Sequence, residues 1–194
     1  MNTTQYDALR SGIRECADAV AATAAGVRAE QLREPTPCAK FTVADLVDHL
    51  TGTLLTAERA ARREAPSDTA LSDAAPAGSP SALVDAAGRT ATVWSDAAAY
   101  EGTTMFGEWE MPAVLVASIT LQELAVHGWD LARATGRPFS LGEDTAQLVL
   151  GAVEQIADQV RGNGGYGPPV AVPADAPAFQ RALAASGRDP EWNG

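Results

Sequence analysis

Apolar side chains recur at steps of three and four along most of this chain, and that spacing restricts it to packed helices. In a first segment, about Thr4 to Ala25, the stripe is Tyr6, Leu9, Ile13, Ala17, Val20 and Ala24. Thr4 with Asp7 three residues later has the form of a capping box with the shorter acid. Pro35-Thr36-Pro37 then breaks the chain. A second helix opens at Thr42, again with an acid, Asp45, three residues on. Val43, Leu46, Val47, Leu50, Leu54, Ala57 and Ala61 form its apolar face. The basic run from Arg59 to Arg63 complements the dipole at its C-terminal end.

Residues 65–80 have the low complexity of a surface loop, to which no function is assigned. Ser79-Pro80 supplies an N-cap and a first helical position. The third helix is expected to reach about Ala99, with Leu83, Val84, Ala87, Ala91, Trp94 and Ala98 inward. The glycine-punctuated stretch from Tyr100 to Pro112 reads as a loop or a small hairpin. Pro112 opens a fourth helix that runs to about Ala134 and stops at Thr135-Gly136. A fifth spans about Glu143 to Arg161. A proline-rich final segment follows, with a short helical piece from Ala178 to Ser186. The expectation is an all-α bundle with a long crossover between helices two and four. It forms one domain over residues 1–194, with 166–194 as a tail packed on the bundle.

Composition agrees with close helix packing. Apolar residues make up 46% of the chain and aromatic ones only 6%, so small side chains dominate the contacts. Fourteen basic residues against 25 acidic give a net charge of −11. Such a surface repels phosphate backbones and anionic lipids, which argues against nucleic acid and membranes as partners. No apolar run is long enough for a transmembrane helix. The N-terminus lacks the pattern of a signal peptide. A cytoplasmic protein is expected, with Cys16 and Cys38 as free thiols.

The chain holds two histidines, His49 and His127. Glu123 and His127 are four apart, one turn along the same helix face. Glu-x-x-x-His on one helix plus a histidine from another makes three metal ligands and leaves a coordination position open. On the fourth helix Ser118, Gln122 and Arg133 cluster on one side, which is expected to face water. Glu123 and His127 lie elsewhere, among Val116, Ile119, Leu124 and Leu131. An acid there is costly unless it is paired or coordinated. His49 sits on a semi-polar flank of the second helix with Thr42, Asp45, Thr53 and Thr56. Neutral imidazoles plus one carboxylate suit zinc, nickel or another borderline metal. Asp45 or Asp130 could orient a ligand histidine through its other ring nitrogen. The alternative is a buried Glu123–His127 hydrogen bond with His49 unrelated at the surface. The residues by themselves leave both readings open.

Other positions carry paired readings too. Cys38 is a reactive thiol or, more commonly, a small packing residue. Trp94 has core spacing, whereas Trp109 lies in the irregular stretch and is a candidate pocket residue. Arg133 could hold a carboxylate near a metal or lie on a solvated face. Gly128 allows close helix approach or is a tolerated defect.

Two segments carry a family resemblance. Thr36 to Leu50 and Glu123 to Gly136 resemble the two ligand-bearing segments of the mycothiol-dependent maleylpyruvate isomerase N-terminal family. That family belongs to the DinB-like superfamily of four-helix bundles. Gly167 to Pro177, followed by Gly187 to Pro190, is similar to an actinobacterial branch of uncharacterised metal-binding relatives. The resemblance implies a DinB-like bundle with an extra short helix and a proline-rich C-terminal tail. It implies His49, Glu123 and His127 as ligands of a divalent metal, zinc foremost, with nickel or iron as alternatives. It further implies a metal-bound thiol or water, with mycothiol as the thiol and a second, unidentified small-molecule substrate. The activity would be a thiol-dependent transferase or isomerase, and a homodimer is compatible with it. The alternative is a non-catalytic metal- or small-ligand-binding protein of the same fold. The isomerase builds its substrate site with a separate C-terminal domain where this chain has the proline-rich tail. Maleylpyruvate therefore does not carry over as the substrate.

Overall fold

The computed structural model describes residues 3–64 and 78–193. Its helices are α1 (Thr3–Ala24), α2 (Val43–Ala61), α3 (Pro80–Val93), α4 (Ala113–Ala134), α5 (Glu143–Gly162) and α6 (Ala178–Ala185). A hairpin of β1 (Thr103–Phe106) and β2 (Trp109–Pro112) precedes α4, and short 3-10 turns cover Ala29–Arg33 and Ala97–Tyr100. This is the all-α, DinB-like bundle that the periodicity and the resemblance predict. The side chain of Thr4 and most of the 65–80 loop fall outside the described residues.

Helices α1 and α2 each pack against both α3 and α4. The four therefore enclose one core, with α1 diagonal to α2. Leu46, Leu50, Leu54, Leu121, Leu124 and Val20 are fully buried in it. Each such leucine removed from water contributes about 1.5–3 kcal/mol. Helix α5 lies against α1 and α4, and α6 lies against α5. Because α4 has neighbours on three sides, it is buried around most of its circumference, unlike a one-faced surface helix.

Local chemistry sets the helix ends. Thr42 and Asp45 form a reciprocal capping box: the Asp45 amide donates to the Thr42 hydroxyl, and the Thr42 amide donates to the Asp45 carboxylate at 3.0 Å. Gly136, with φ of +68°, ends α4, and the Arg137 amide closes back on the Ala132 carbonyl at 2.8 Å. Helix α3 stops at Val93, six residues short of the expected end, and Ala98 is exposed rather than inward. The Ser95 hydroxyl donates to the Thr92 carbonyl, and the Asp96 carboxylate accepts from the Ala98 amide. These side chains offer the backbone an alternative to further helix.

The hairpin pairs Phe106 with Trp109 across a Gly107-Glu108 turn. Gly107 takes a φ of +61°, which a residue with a Cβ rarely adopts. The Thr104 hydroxyl donates to the Ala60 carbonyl at 2.6 Å, and Arg63 donates to the Thr103 carbonyl at 2.8 Å. These bonds tie the hairpin to the end of α2. No helix among the described residues is long and apolar enough to cross a membrane. Both cysteines are free and buried.

Candidate metal centre

Residues 35–42 form the approach to the two histidines. Pro35 and Thr42 pair in an antiparallel bridge, and the Thr36 hydroxyl lies 2.9 Å from the carbonyl oxygens of Cys38 and Phe41. The loop so closed turns Phe41 onto the imidazoles. Its ring stacks on His49 at 5.0 Å and lies 6.2 Å from His127.

The Thr42 cap fixes where α2 begins, which sets His49 about two turns along it. On α4, Glu123, His127 and Asp130 share one face at spacings of four and three. The His49 Nε2 is 3.2 Å from Glu123 Oε2, and the His127 Nε2 is 3.6 Å from the same oxygen. The two imidazoles meet edge-on at 4.8 Å between centroids. Each of the three residues offers a ligand atom within 4.8 Å of the other two. Ligand atoms on a tetrahedral zinc, at about 2.0–2.2 Å each, sit roughly 3.3–3.6 Å apart. The observed spacing suits a shared cation, and so does the donor set of two imidazoles and one carboxylate.

Burial works against ionisation of Glu123. The His49 hydrogen bond, the closeness of the His127 and His49 rings, and the Gln122 amide outweigh it and hold the pKa down to about 2. Glu123 is therefore an anion at neutral pH.

Each α4 candidate has a further partner. The His127 Nδ1 is 3.0 Å from Asp130 Oδ2, and the Arg188 Nη2 donates to that same oxygen at 3.0 Å. With Nδ1 donating to a carboxylate, Nε2 is left as the lone-pair atom facing Glu123 and His49. The Gln122 amide donates to Glu123 Oε1 at 2.6 Å, and the Tyr166 hydroxyl donates to Gln122 Oε1. Cys38, His127 and Asp130 also bring ligand atoms together. There, however, the Arg188 guanidinium already neutralises Asp130, so a second cation would meet a positive charge. Burial pushes the Cys38 thiol pKa up, against the opposing charge of Arg188, which fits a packing residue.

The structure sorts the other candidates. Gln122 does not face water: it is 2% exposed. A helix angle cannot reveal that Tyr166, 44 residues on, covers this side of α4. Asp45 bonds Thr42 rather than a histidine, so Asp130 is the orienting acid. Arg133 donates to the Trp192 carbonyl and is not among the ligand set's partners. Trp94 is core. A Cβ on Gly128 would lie 2.7 Å from Val20 and 2.8 Å from Phe139, so the glycine permits close approach. Phe41, Tyr166 and Arg188 were not singled out from sequence. Phe41 and Arg188 lie in segments that carried the resemblance, but nothing in the spacing marks either of them, and Tyr166 lies just outside those segments.

Beside the three residues opens a cleft of about 600 Å³, bordered by His49, Glu123, Asp48, Thr53, Thr56 and Trp109. Trp109 is 71% exposed, the large apolar side chain left bare among the described residues.

The family described as Mycothiol maleylpyruvate isomerase N-terminal domain matches residues 13–132. The chain belongs to this family. Two uncharacterised proteins from two strains of Mycobacterium tuberculosis are each 33% identical to it over 152 residues, which is 76% of this chain and 79% of theirs. No solved structure matches the chain significantly. The family match contains His49, Glu123, His127 and Asp130 and ends before Tyr166 and Arg188.

Proposed function

We propose that His49, Glu123 and His127 hold a divalent metal, zinc foremost, and that the site activates a small thiol of the mycothiol kind for transfer or isomerisation. The convergence of these three side chains from two helices, at the edge of an open cleft, carries this reading. Bound there, a divalent cation would lower a thiol's pKa and supply a thiolate near neutral pH. His49 and Glu123 border the cleft, whereas His127 is buried behind them and is held by Asp130.

The cleft lining bears on the substrate. Thr53 and Thr56 offer hydroxyls, Asp48 a carboxylate and Trp109 a flat apolar ring. This suits an uncharged molecule rich in hydroxyl groups. No lysine or arginine lines the cleft among the described residues, so a dicarboxylate such as maleylpyruvate has no cationic side chain to meet it. One observation favours a non-catalytic, metal-binding role instead. Apart from the proposed ligands, Asp48 is the acid bordering the cleft, and it already accepts the Gly78 amide at 2.6 Å.

Elemental analysis of tag-free protein tests the site. About one metal per chain is expected in the wild type, with loss in His127→Ala and Glu123→Gln. A wild type that takes up no zinc, nickel or iron overturns it. Cobalt-loaded protein then separates the two roles. A thiolate-to-cobalt absorption band on adding mycothiol supports activation, and its absence leaves metal binding alone.

A further inference from the structure

The segment after α5 reaches the candidate centre through two buried contacts. Asp130 is fully buried and the Arg188 side chain is 4% exposed. Arg188 places Nη2 at 3.0 Å and Nε at 3.3 Å from Asp130 Oδ2, and its Nη1 donates to the Ser186 carbonyl at 3.0 Å. Tyr166 is buried over Gln122, and the Arg188 guanidinium lies 5.5 Å from its ring centre. Both side chains thus stand one residue removed from a proposed ligand.

The backbone is built to bring these two side chains together. Gly187 ends α6 with a φ of +81°. A Cβ there would lie 2.8 Å from the backbone of Gly167. The chain therefore crosses itself at Gly167 and Gly187, the neighbours of Tyr166 and Arg188. From α5, Arg161 donates to the carbonyls of Gly167 at 3.0 Å and Ala185 at 2.8 Å, which pins both sides of the crossing.

A buried ion pair of this kind contributes little net stability compared with apolar residues of the same volume. Its geometric effect is specific: it fixes the Asp130 oxygen that His127 Nδ1 meets. The Tyr166–Gln122 contact fixes the amide that meets the outer oxygen of Glu123. We propose that Arg188, through Asp130, and Tyr166, through Gln122, are positioning residues of the metal centre. The tail residues thereby set its affinity for metal. This rests on the metal-site reading above.

The test replaces the charged pair by an apolar one, Asp130→Leu with Arg188→Met, which leaves no buried charge unpaired. Zinc affinity is measured by competition with a chromophoric chelator. In parallel, imidazole 15N spectra of metal-free protein report on the two histidines. The double variant is expected to bind zinc about 10–100-fold more weakly. The wild type is expected to hold His127 as a single Nδ1-protonated tautomer through Asp130, and the double variant to lose it. Tyr166→Phe should weaken zinc in the same direction by a smaller factor, and Arg188→Lys should retain more affinity than Arg188→Met. A double variant that folds, binds zinc as tightly as the wild type and keeps its His127 spectrum overturns the proposal and leaves the metal site standing. A wild type that binds no zinc defeats the metal reading instead, and the tautomer comparison still decides whether the pair orients His127.

Discussion

Gly128 follows His127 directly and has no room for a side chain. Alanine there would gain about 1 kcal/mol of helix propensity. Its Cβ, however, would press on Val20 and Phe139 at under 3 Å, an overpacking that costs about 1–3 kcal/mol. Gly128→Ala is therefore expected to lower stability by about 1 kcal/mol net, read as a lower urea midpoint with unchanged slope. A rise in stability would show that α1 and Phe139 yield freely. The same residue shows what a sequence conveys at this scale. Gly128 carried two readings, and only the atoms opposite it chose between them. His49, Glu123 and His127 were legible as a candidate set because metal chemistry uses few residue types and a helix repeats them predictably, and the structure brings the three together. Gln122 was misread because its angle on α4 says nothing about what covers that angle.

Elements were legible where their ends carry local chemistry. Thr42 and Asp45 announced the start of α2, and Pro112 and Gly136 bounded α4, because caps act within a few residues of themselves. The end of α3 was not, since its alanine-rich continuation has the same spacing inside a helix and beyond it. The Ser95 and Asp96 side chains, with the Tyr100 hydroxyl on the Trp94 carbonyl, mark its end. Thr42→Ala removes the hydroxyl half of the α2 cap and should cost about 1 kcal/mol, measured by chemical denaturation. Metal stoichiometry should hold, because His49 lies two turns beyond the cap. The hairpin makes the opposite kind of prediction. Trp109 is largely exposed, so Trp109→Ala should change stability by no more than about 0.5 kcal/mol. If its ring borders the thiol site, the substitution should still weaken mycothiol binding to cobalt-loaded protein. Unchanged binding would remove Trp109 from the cleft's function.

At the scale of the molecule, the proposed site joins parts of the chain that are far apart in sequence. His49 comes from α2, Glu123 and His127 from α4, and the residues that hold their α4 neighbours Gln122 and Asp130, Tyr166 and Arg188, from beyond α5. Periodicity could predict that these helices pack. It could not predict that the tail crosses at Gly167 and Gly187 to reach α4, because that contact depends on backbone proximity between distant residues. A site built from α2 and α4 together exists only in the folded chain, so a cation bound there would stabilise folding by mass action. At a free zinc concentration about a hundredfold above Kd, the gain is about 2.7 kcal/mol. For a chain of this length each kcal/mol raises Tm by about 2–4 °C, so zinc should raise it by roughly 5–10 °C. A chelator should reverse the rise. Glu123→Gln, which keeps the shape but loses the anionic ligand, should show little of it. A zinc response of equal size in wild type and Glu123→Gln would place the bound metal elsewhere on this acidic surface.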